Sequence, residues 1–353
     1  MTSSYLKVML ISCAGLLLPF LCIGMYIEPL FGDLTRLGYF SERDFGWNAP
    51  QPVISVEGAG EVRRPAVVVL GDSFSAMRAW QAVATQRSGL GFRTYFWRDP
   101  RVQESSGCVS EWITSIKTLY PETRFVLLQT VEREFLLRFA ANKPGCSSAH
   151  SGADFEWQDP SLPVRRPVIM RALPDPMYAL IALGNSPGEL DRPRVSGLTV
   201  LMPLVRGDLF SNRRSDLLLF FGADSSLKSK WSVDGIRGAA ENVRAIQDRA
   251  EQHGITVIVL VIPDKSTIYS KYFKITPQPV TVPVPDVWRE LAVRGVSQVD
   301  LKAVLSRAVP GTVDLYLPDD THLGNGGYIL IGRAVADVLS SVSRRAAQVR
   351  RTS

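Results

Sequence analysis

The sequence predicts an α/β fold, a central parallel sheet with helices packed on both faces. Three observations carry that expectation. Ala66–Leu70 (AVVVL), Phe125–Leu128 (FVLL) and Ile255–Ile262 (ITVIVLVI) are short, continuous apolar runs rich in β-branched residues, the pattern of strands buried on both sides. Helical patterns separate or follow these runs, and strands alternating with helices imply parallel pairing. At 353 residues, with 46% hydrophobic and 21% charged residues, the chain has enough apolar material for a sizeable core. That composition excludes a disordered tail, a collagen-like repeat and a disulfide-stapled miniprotein.

Taken in order, the first element is an uncharged run of twenty residues, Val8 to Ile27, bracketed by Lys7 and Glu28. As a helix it would reach roughly 30 Å, the thickness of one bilayer core. Pro19 would kink such a helix without forbidding it. No small-x-small cleavage site follows, which argues against a removed signal peptide. The Leu10-Ile11-Ser12-Cys13 tetrad resembles a lipoprotein box, but few apolar residues precede it. Lys7 lies before the run while Glu28 and Asp33 follow it, so the positive-inside rule places the N-terminus in the cytoplasm and the rest outside. The expectation is a single-pass anchor over residues 1–30 and an exported remainder, in a bacterial inner membrane and periplasm. In that compartment Cys108 and Cys146 could pair as a disulfide, with two free thiols as the alternative.

Residues 31–64 read as a Gly/Pro/Asn-punctuated lead-in (FGWNAPQP) wrapping the surface of a domain that spans 65–342. Weaker strand candidates are Val296–Leu301 and Val313–Leu317. Helices are expected at Ile236–His253, ending at Gly254, and at Asp286–Arg294, Leu301–Val309 and Tyr328–Val342. Residues 142–208, rich in Pro, Gly and Arg, break the rhythm and read as an insertion. Residues 343–353 read as a mobile basic tail. That tail holds Arg344, Arg345, Arg350 and Arg351 and no acid, so it supplies four of the six excess positive charges. The remainder is close to neutral, and no nucleic-acid partner is expected.

Only three histidines occur (His150, His253, His322) and no C-x-x-C pair, so neither a metal centre nor a cofactor is expected. Two segments carry chemistry. Gly71-Asp72-Ser73-Phe74-Ser75 follows the strand AVVVL and opens a helix. This sets a serine hydroxyl at the carboxyl end of a parallel strand and its N–H at a helix start, where developing negative charge is favoured. Pro318-Asp319-Asp320-Thr321-His322-Leu323-Gly324 lies in a loop before the last helix. A hydroxyl is inert near neutrality unless a base takes its proton and a third group orients that base, which His322 and a preceding acid can supply.

Gly-Asp-Ser early and Asp-x-x-His late resemble the SGNH/GDSL hydrolase superfamily. Ile262-Pro263-Asp264-Lys265, Tyr269, Val299-Asp300-Leu301 and Asp320-Thr321-His322 are similar, in this order, to the alginate O-acetyltransferase AlgX/AlgJ-like family. Val131-Glu132-Arg133, Leu34-Thr35-Arg36 and Asp44-Phe45-Gly46-Trp47 also resemble exopolysaccharide acetylation proteins. The resemblance implies a three-layer α/β/α domain with catalytic Ser73 and His322. The alginate pattern implies Asp320 as the orienting acid, and the general SGNH pattern implies Asp319. Two departures stand out. The serine block precedes the Asp-Thr-His block here, the reverse of the alginate enzymes. The usual Gly-x-Asn that donates to the oxyanion is replaced by Gln129-Thr130-Val131-Glu132. The Ser73 N–H is then the first oxyanion donor, with the Gly107 N–H, Gln129 and Arg133 as further candidates, and with Lys265 as an oxyanion or substrate-binding candidate beside Asp264.

The resemblance implies acetylation of a polysaccharide acceptor, the acetyl group arriving through a multi-spanning membrane acyltransferase of the MBOAT type. The same triad would serve an acetylesterase. A third reading is a non-catalytic glycan scaffold using Trp157, Arg165, Arg166, Arg171, Arg192 and Arg194.

Overall fold

The computed structural model describes residues 2–26, 32–56, 62–97, 108–140, 181–182, 184–275 and 286–352. Its centre is a five-stranded parallel sheet formed by β1 (Val67–Gly71), β2 (Phe92–Phe96), β3 (Phe125–Val131), β7 (Thr256–Ile262) and β8 (Gln298–Val299). Their order across the sheet is β2-β1-β3-β7-β8. The chain leaves β1 to one side for β2, then returns to the other side for β3. The topological switch point therefore lies between β1 and β3, where open parallel sheets leave a crevice at the carboxyl ends of their strands.

Alternation along the strands sends side chains to opposite faces. Val67 and Val69 join a core with Trp80, Leu301, Leu305, Ile331 and Leu339 from the helices Ala79–Ser88, Leu301–Ala308 and Asn325–Thr352. Val68 and Leu70 join a second core with Trp112, Ile236, Val243 and Leu291 from the helices Val109–Leu119, Val233–Gln252 and Val287–Val293. The result is the expected helix–sheet–helix sandwich. The helix Val233–Gln252 stops where the sequence placed its end, with Gly254 in the left-handed region at φ 70°.

Several expectations are corrected. Val313–Leu317 forms no strand; only Tyr316 makes an isolated bridge, to Leu323. That bridge closes the loop carrying residues 317–322. The end of the proposed insertion is structured: β4 (Arg194–Ser196) pairs antiparallel with β5 (Thr199–Pro203), which pairs antiparallel with β6 (Leu217–Phe221). The lead-in is not a surface wrap. Its short helices Asp33–Gly38 and Glu42–Phe45 and the link between them bury Leu34, Phe40 and Phe45 against Leu201, Leu217 and Leu219 of this second sheet. The basic segment is no mobile tail, because residues 343–352 continue the last helix.

The first helix, Thr2–Tyr26, contains Pro19 and exposes apolar side chains such as Leu6, Ile11 and Leu17. The uncharged run extends to Ile27, which lies outside the described residues. Among the described residues no helix is long and apolar enough to cross a membrane.

Candidate active site

Strand β1 ends at Gly71, and the chain turns at once into the helix Ser73–Ala76. The turn is tight. A Cβ on Gly71 would sit 2.5 Å from Ser75 Oγ and 2.9 Å from Gln129 Oε1, so only glycine fits. Asp72 caps the helix by accepting from the Phe74 N–H (3.0 Å) and reaches across to accept from the Val131 N–H (2.7 Å). Burial pushes the Asp72 carboxyl up, against hydrogen bonds from Gln129, Phe74 and Val131 that favour its charge. Gln129 on β3 completes the clamp. Its Oε1 accepts from the Asp72 N–H (2.9 Å) and the Ser75 hydroxyl (2.7 Å), while its Nε2 donates to Asp72 Oδ1 (2.9 Å). These contacts fix Ser73 at the switch point with its side chain exposed.

The second component arrives from the far end of the chain. Ser73 Oγ lies 2.8 Å from His322 Nε2, and His322 Nδ1 lies 2.7 Å from Asp320 Oδ1. Asp320 also accepts from the His322 N–H (2.9 Å) and, at Oδ2, from the Asp33 N–H (3.4 Å). Burial alone would raise the Asp320 pKa, but the His322 ring and backbone N–H outweigh it and hold the carboxyl at about 2. An ionised Asp320 can only accept, so Nδ1 carries the imidazole proton and Nε2 is free to accept from the serine hydroxyl. Phe74 packs on the imidazole with ring centroids 4.7 Å apart.

Asp319 and Asp320 are adjacent yet have different surroundings. Asp319 is buried and hydrogen-bonds Glu42 from the lead-in. Glu42 Oε1 also accepts from the Gly32 N–H (2.9 Å) and from the Thr35 hydroxyl. Burial and the Glu42 carboxylate push Asp319 up to about 8. The triad geometry therefore belongs to Asp320, and the alternative placing Asp319 against the imidazole is not what the structure shows.

Lys265 does not snorkel to water. It is buried, and its ammonium donates to the carbonyls of Leu317 (2.6 Å), Pro318 (3.0 Å) and Asp320 (3.1 Å). It holds the histidine loop rather than a substrate. Gln129 is likewise committed to the serine turn and is no oxyanion donor. Asp264 sits in a buried ion cluster with Arg133, Asp224 and Lys228.

Ser73 and His322 line a cavity of about 520 Å³ together with Asp33, Leu34 and Leu37 of the lead-in, Trp97, Arg133 and Thr321. The Ser73 N–H has no protein acceptor among the described residues and is the first N–H of its helix, so it can donate to a developing oxyanion. Asp33, Asp320 and His322 lie close enough to hold a cation by distance alone. The Nδ1–H of His322 already faces Asp320, which leaves no lone pair there for a metal.

Asp33 and Glu42 carry no motif and were not legible as site residues. Gly107, Cys146, Trp157, Arg165, Arg166 and Arg171 lie outside the described residues. Arg192 is exposed, and Arg194 donates to the Asn185 backbone and side-chain oxygens at 3.0 and 2.8 Å. Cys108 is disulfide-bonded.

Residues 218–352 match a family model described as an SGNH hydrolase-like domain, acetyltransferase AlgX. The resemblance read from the Pro-Asp-Lys and Asp-Thr-His elements is thus found again in the stretch that contains them. The match begins within β6, so Ser73 lies outside it and stands on geometry. No curated protein and no solved structure matches the chain.

Proposed function

We propose that the protein is an O-acetyltransferase that modifies a polysaccharide through an acetyl-Ser73 intermediate. One observation carries the reading: residues 249 positions apart bring Ser73 Oγ and His322 Nε2 to 2.8 Å in the lining of an open cavity, beside an acid whose environment keeps it charged.

In the first step His322 Nε2 takes the Ser73 proton while Oγ bonds to the acetyl carbonyl carbon. The carbonyl oxygen becomes an oxyanion facing the Ser73 N–H, and Asp320 stabilises the imidazolium. Collapse breaks the bond to the leaving group, which takes the proton from His322. In the second step a sugar hydroxyl gives its proton to His322 and attacks acetyl-Ser73. Collapse of that adduct returns the proton to Ser73 and releases the acetylated sugar.

The transferase reading is supported by the acetyltransferase description of the matched family model. Hydrolysis is the second reading, favoured by the exposure of Ser73, since water reaching the acyl-enzyme would make the protein an acetylesterase. A scaffold without chemistry accounts for neither the charged Asp320 nor the aligned imidazole.

The site is proposed to work outside the cytoplasm, held at the inner membrane by the first helix. Its exposed apolar side chains (Leu6, Ile11, Leu17) and the uncharged run from Val8 support that placement, as does the Cys108 disulfide, which suits an oxidising compartment. Acetyl-CoA is cytoplasmic, so a membrane acyltransferase of the MBOAT type is proposed to pass the acetyl group outward.

The test is incubation of the detergent-solubilised chain with p-nitrophenyl acetate, with and without oligosaccharide. Acetylated sugar supports transfer; acetate alone in both arms supports hydrolysis; absence of acetyl-Ser73 from acid-quenched samples of the arm without oligosaccharide refutes both.

A further inference from the structure

The usual oxyanion asparagine is missing, Gln129 is spent on the serine turn, and the Ser73 N–H is a single donor. A second donor is to be sought on the other side of the switch point. Ser73 stands two residues beyond the end of β1, and Arg133 stands two residues beyond the end of β3. The two strands are parallel neighbours in register from Val67↔Phe125 to Leu70↔Leu128. Residues just past their carboxyl ends border one crevice, and Ser73 and Arg133 line the same cavity.

The bonding of Arg133 leaves its guanidinium half used. Nη1 donates to Asp224 Oδ1 (3.1 Å) and Asp264 Oδ1 (2.6 Å), which accounts for both of its hydrogens. Nε and Nη2, with three further N–H groups, have no acceptor among the described residues. The side chain is only 10% exposed, and both aspartates are fully buried. The anchor is itself braced. Lys228 Nζ lies 3.0 Å from Asp264 Oδ2 and 3.3 Å from Glu132 Oε2, and Glu132 accepts from the Asp264 N–H (2.9 Å). A guanidinium held this way pays little reorganisation when charge appears in front of it, the condition under which fixed donors act most strongly. Burial and neighbouring Asp264 push the Asp224 carboxyl up to about 8, which lessens the negative charge behind Arg133.

We propose that Arg133 is a catalytic residue whose free guanidinium N–H groups complete the oxyanion hole opposite the Ser73 N–H. The assignment rests on the acyl-transfer reading above. It makes the Val-Glu-Arg element after β3 the functional replacement for the missing asparagine, with a full positive charge in place of an amide dipole.

The experiment has three arms on the full chain in detergent. Arg133→Lys keeps the charge and its reach toward the aspartates but removes the fork. Arg133→Met with Asp224→Asn removes the fork together with one of the two carboxyl groups that Nη1 bonds. In either folded variant kcat for p-nitrophenyl acetate is expected to fall about 10²–10³-fold, the scale of losing one oxyanion donor, with KM changed less than threefold. A fall of less than tenfold in a folded variant, or one confined to KM, overturns the assignment.

The third arm needs no substitution. The wild-type chain is treated with an aryl fluorophosphonate, which leaves a tetrahedral phosphonyl group on Ser73, and its structure is determined. A phosphonyl oxygen within hydrogen-bond distance of Arg133 Nε or Nη2 is expected; a phosphonylated Ser73 with Arg133 out of contact overturns the assignment alone. A Ser73 that is not phosphonylated overturns the acyl-transfer reading itself, and the assignment with it.

Discussion

Replacing Lys265 by methionine separates the stability of the histidine loop from its geometry. The ammonium donates to three carbonyls, those of Leu317, Pro318 and Asp320. Charge-assisted bonds of this kind contribute about 1.5–3 kcal/mol each, so their loss costs roughly 5–9 kcal/mol. Against this stands the cost of the buried charge. Burial lowers the Lys265 pKa from 10.5 to about 7 even with Asp319 and Asp320 nearby, which corresponds to about 5 kcal/mol. Methionine removes both contributions, so the net destabilisation is about 0–4 kcal/mol and the chain stays folded.

Geometry has no such compensation. Residues 317–320 would no longer be tied to the helix Lys265–Tyr269, and Asp320 and His322 would lose their fixed approach to Ser73. A displacement near 1 Å is worth about 10²-fold in rate. Lys265→Met is therefore expected to lower kcat for p-nitrophenyl acetate about 100-fold while the melting temperature falls by only several degrees. The paired assay is initial-rate kinetics and thermal unfolding on one preparation. A folded variant with kcat within threefold of wild type would refute the view that Lys265 positions the loop.

Asp320→Asn removes the charged partner of His322 and is expected to cost about 10⁴-fold in kcat, whereas Asp319→Asn should stay within tenfold; the reverse ranking would reassign the triad acid. The Glu42–Asp319 pair ties stability to pH. Because Asp319 binds its proton more tightly folded (about 8) than unfolded (near 3.8), this pair makes the fold progressively less stable as pH rises from about 4 to about 8. Lys265 runs the opposite way above pH 7, so the pair is read by difference: the melting temperature of Asp319→Asn should gain on wild type between pH 5 and pH 8.5, and parallel curves would contradict the pairing. Gly71→Ala forces a Cβ against Ser75 Oγ and Gln129 Oε1; a loss of about 1–3 kcal/mol in denaturant unfolding and reduced activity are expected, and wild-type behaviour in both would show that the turn can relax.

The parts of the fold that read correctly from sequence are those whose signal is local. β1, β3 and β7 are buried on both faces and therefore spelled as unbroken apolar runs. β2 escaped because FRTYF buries Arg93 and Thr94; Arg93 donates to the Tyr95 hydroxyl at 2.9 Å, so part of its bonding is met within the strand itself. LLLFF of β6 obeys the same rule as AVVVL, yet it belongs to a separate antiparallel sheet, and pairing direction is not written in an apolar run. Val313–Leu317 looks like a strand, but it is a single bridged turn beneath the histidine loop, where Asp314 adopts a left-handed conformation.

The site divides in the same way. Ser73 and His322 were legible because a strand end, a glycine and a scarce histidine mark them. Asp33 and Glu42 were not, because their contribution depends on how a punctuated lead-in docks. Leu34 and Thr35 donate backbone N–H groups to the Asp319 carbonyl at 2.9 and 3.3 Å, contacts bridging almost the whole chain that no local pattern encodes. Lys265 was visible as a motif residue, but its task, holding three carbonyls, requires the loop to be seen.

The central claim is that Ser73 carries the acetyl group. Rapid acid quenching of the wild-type chain during turnover of p-nitrophenyl acetate, followed by peptide mass spectrometry, tests it directly. The account predicts acetyl on the peptide containing Ser73, at that residue, absent in Ser73→Ala and His322→Ala, and chased off by oligosaccharide. Turnover that persists in Ser73→Ala, or an acetyl group on another residue that is chased at the turnover rate, would contradict it.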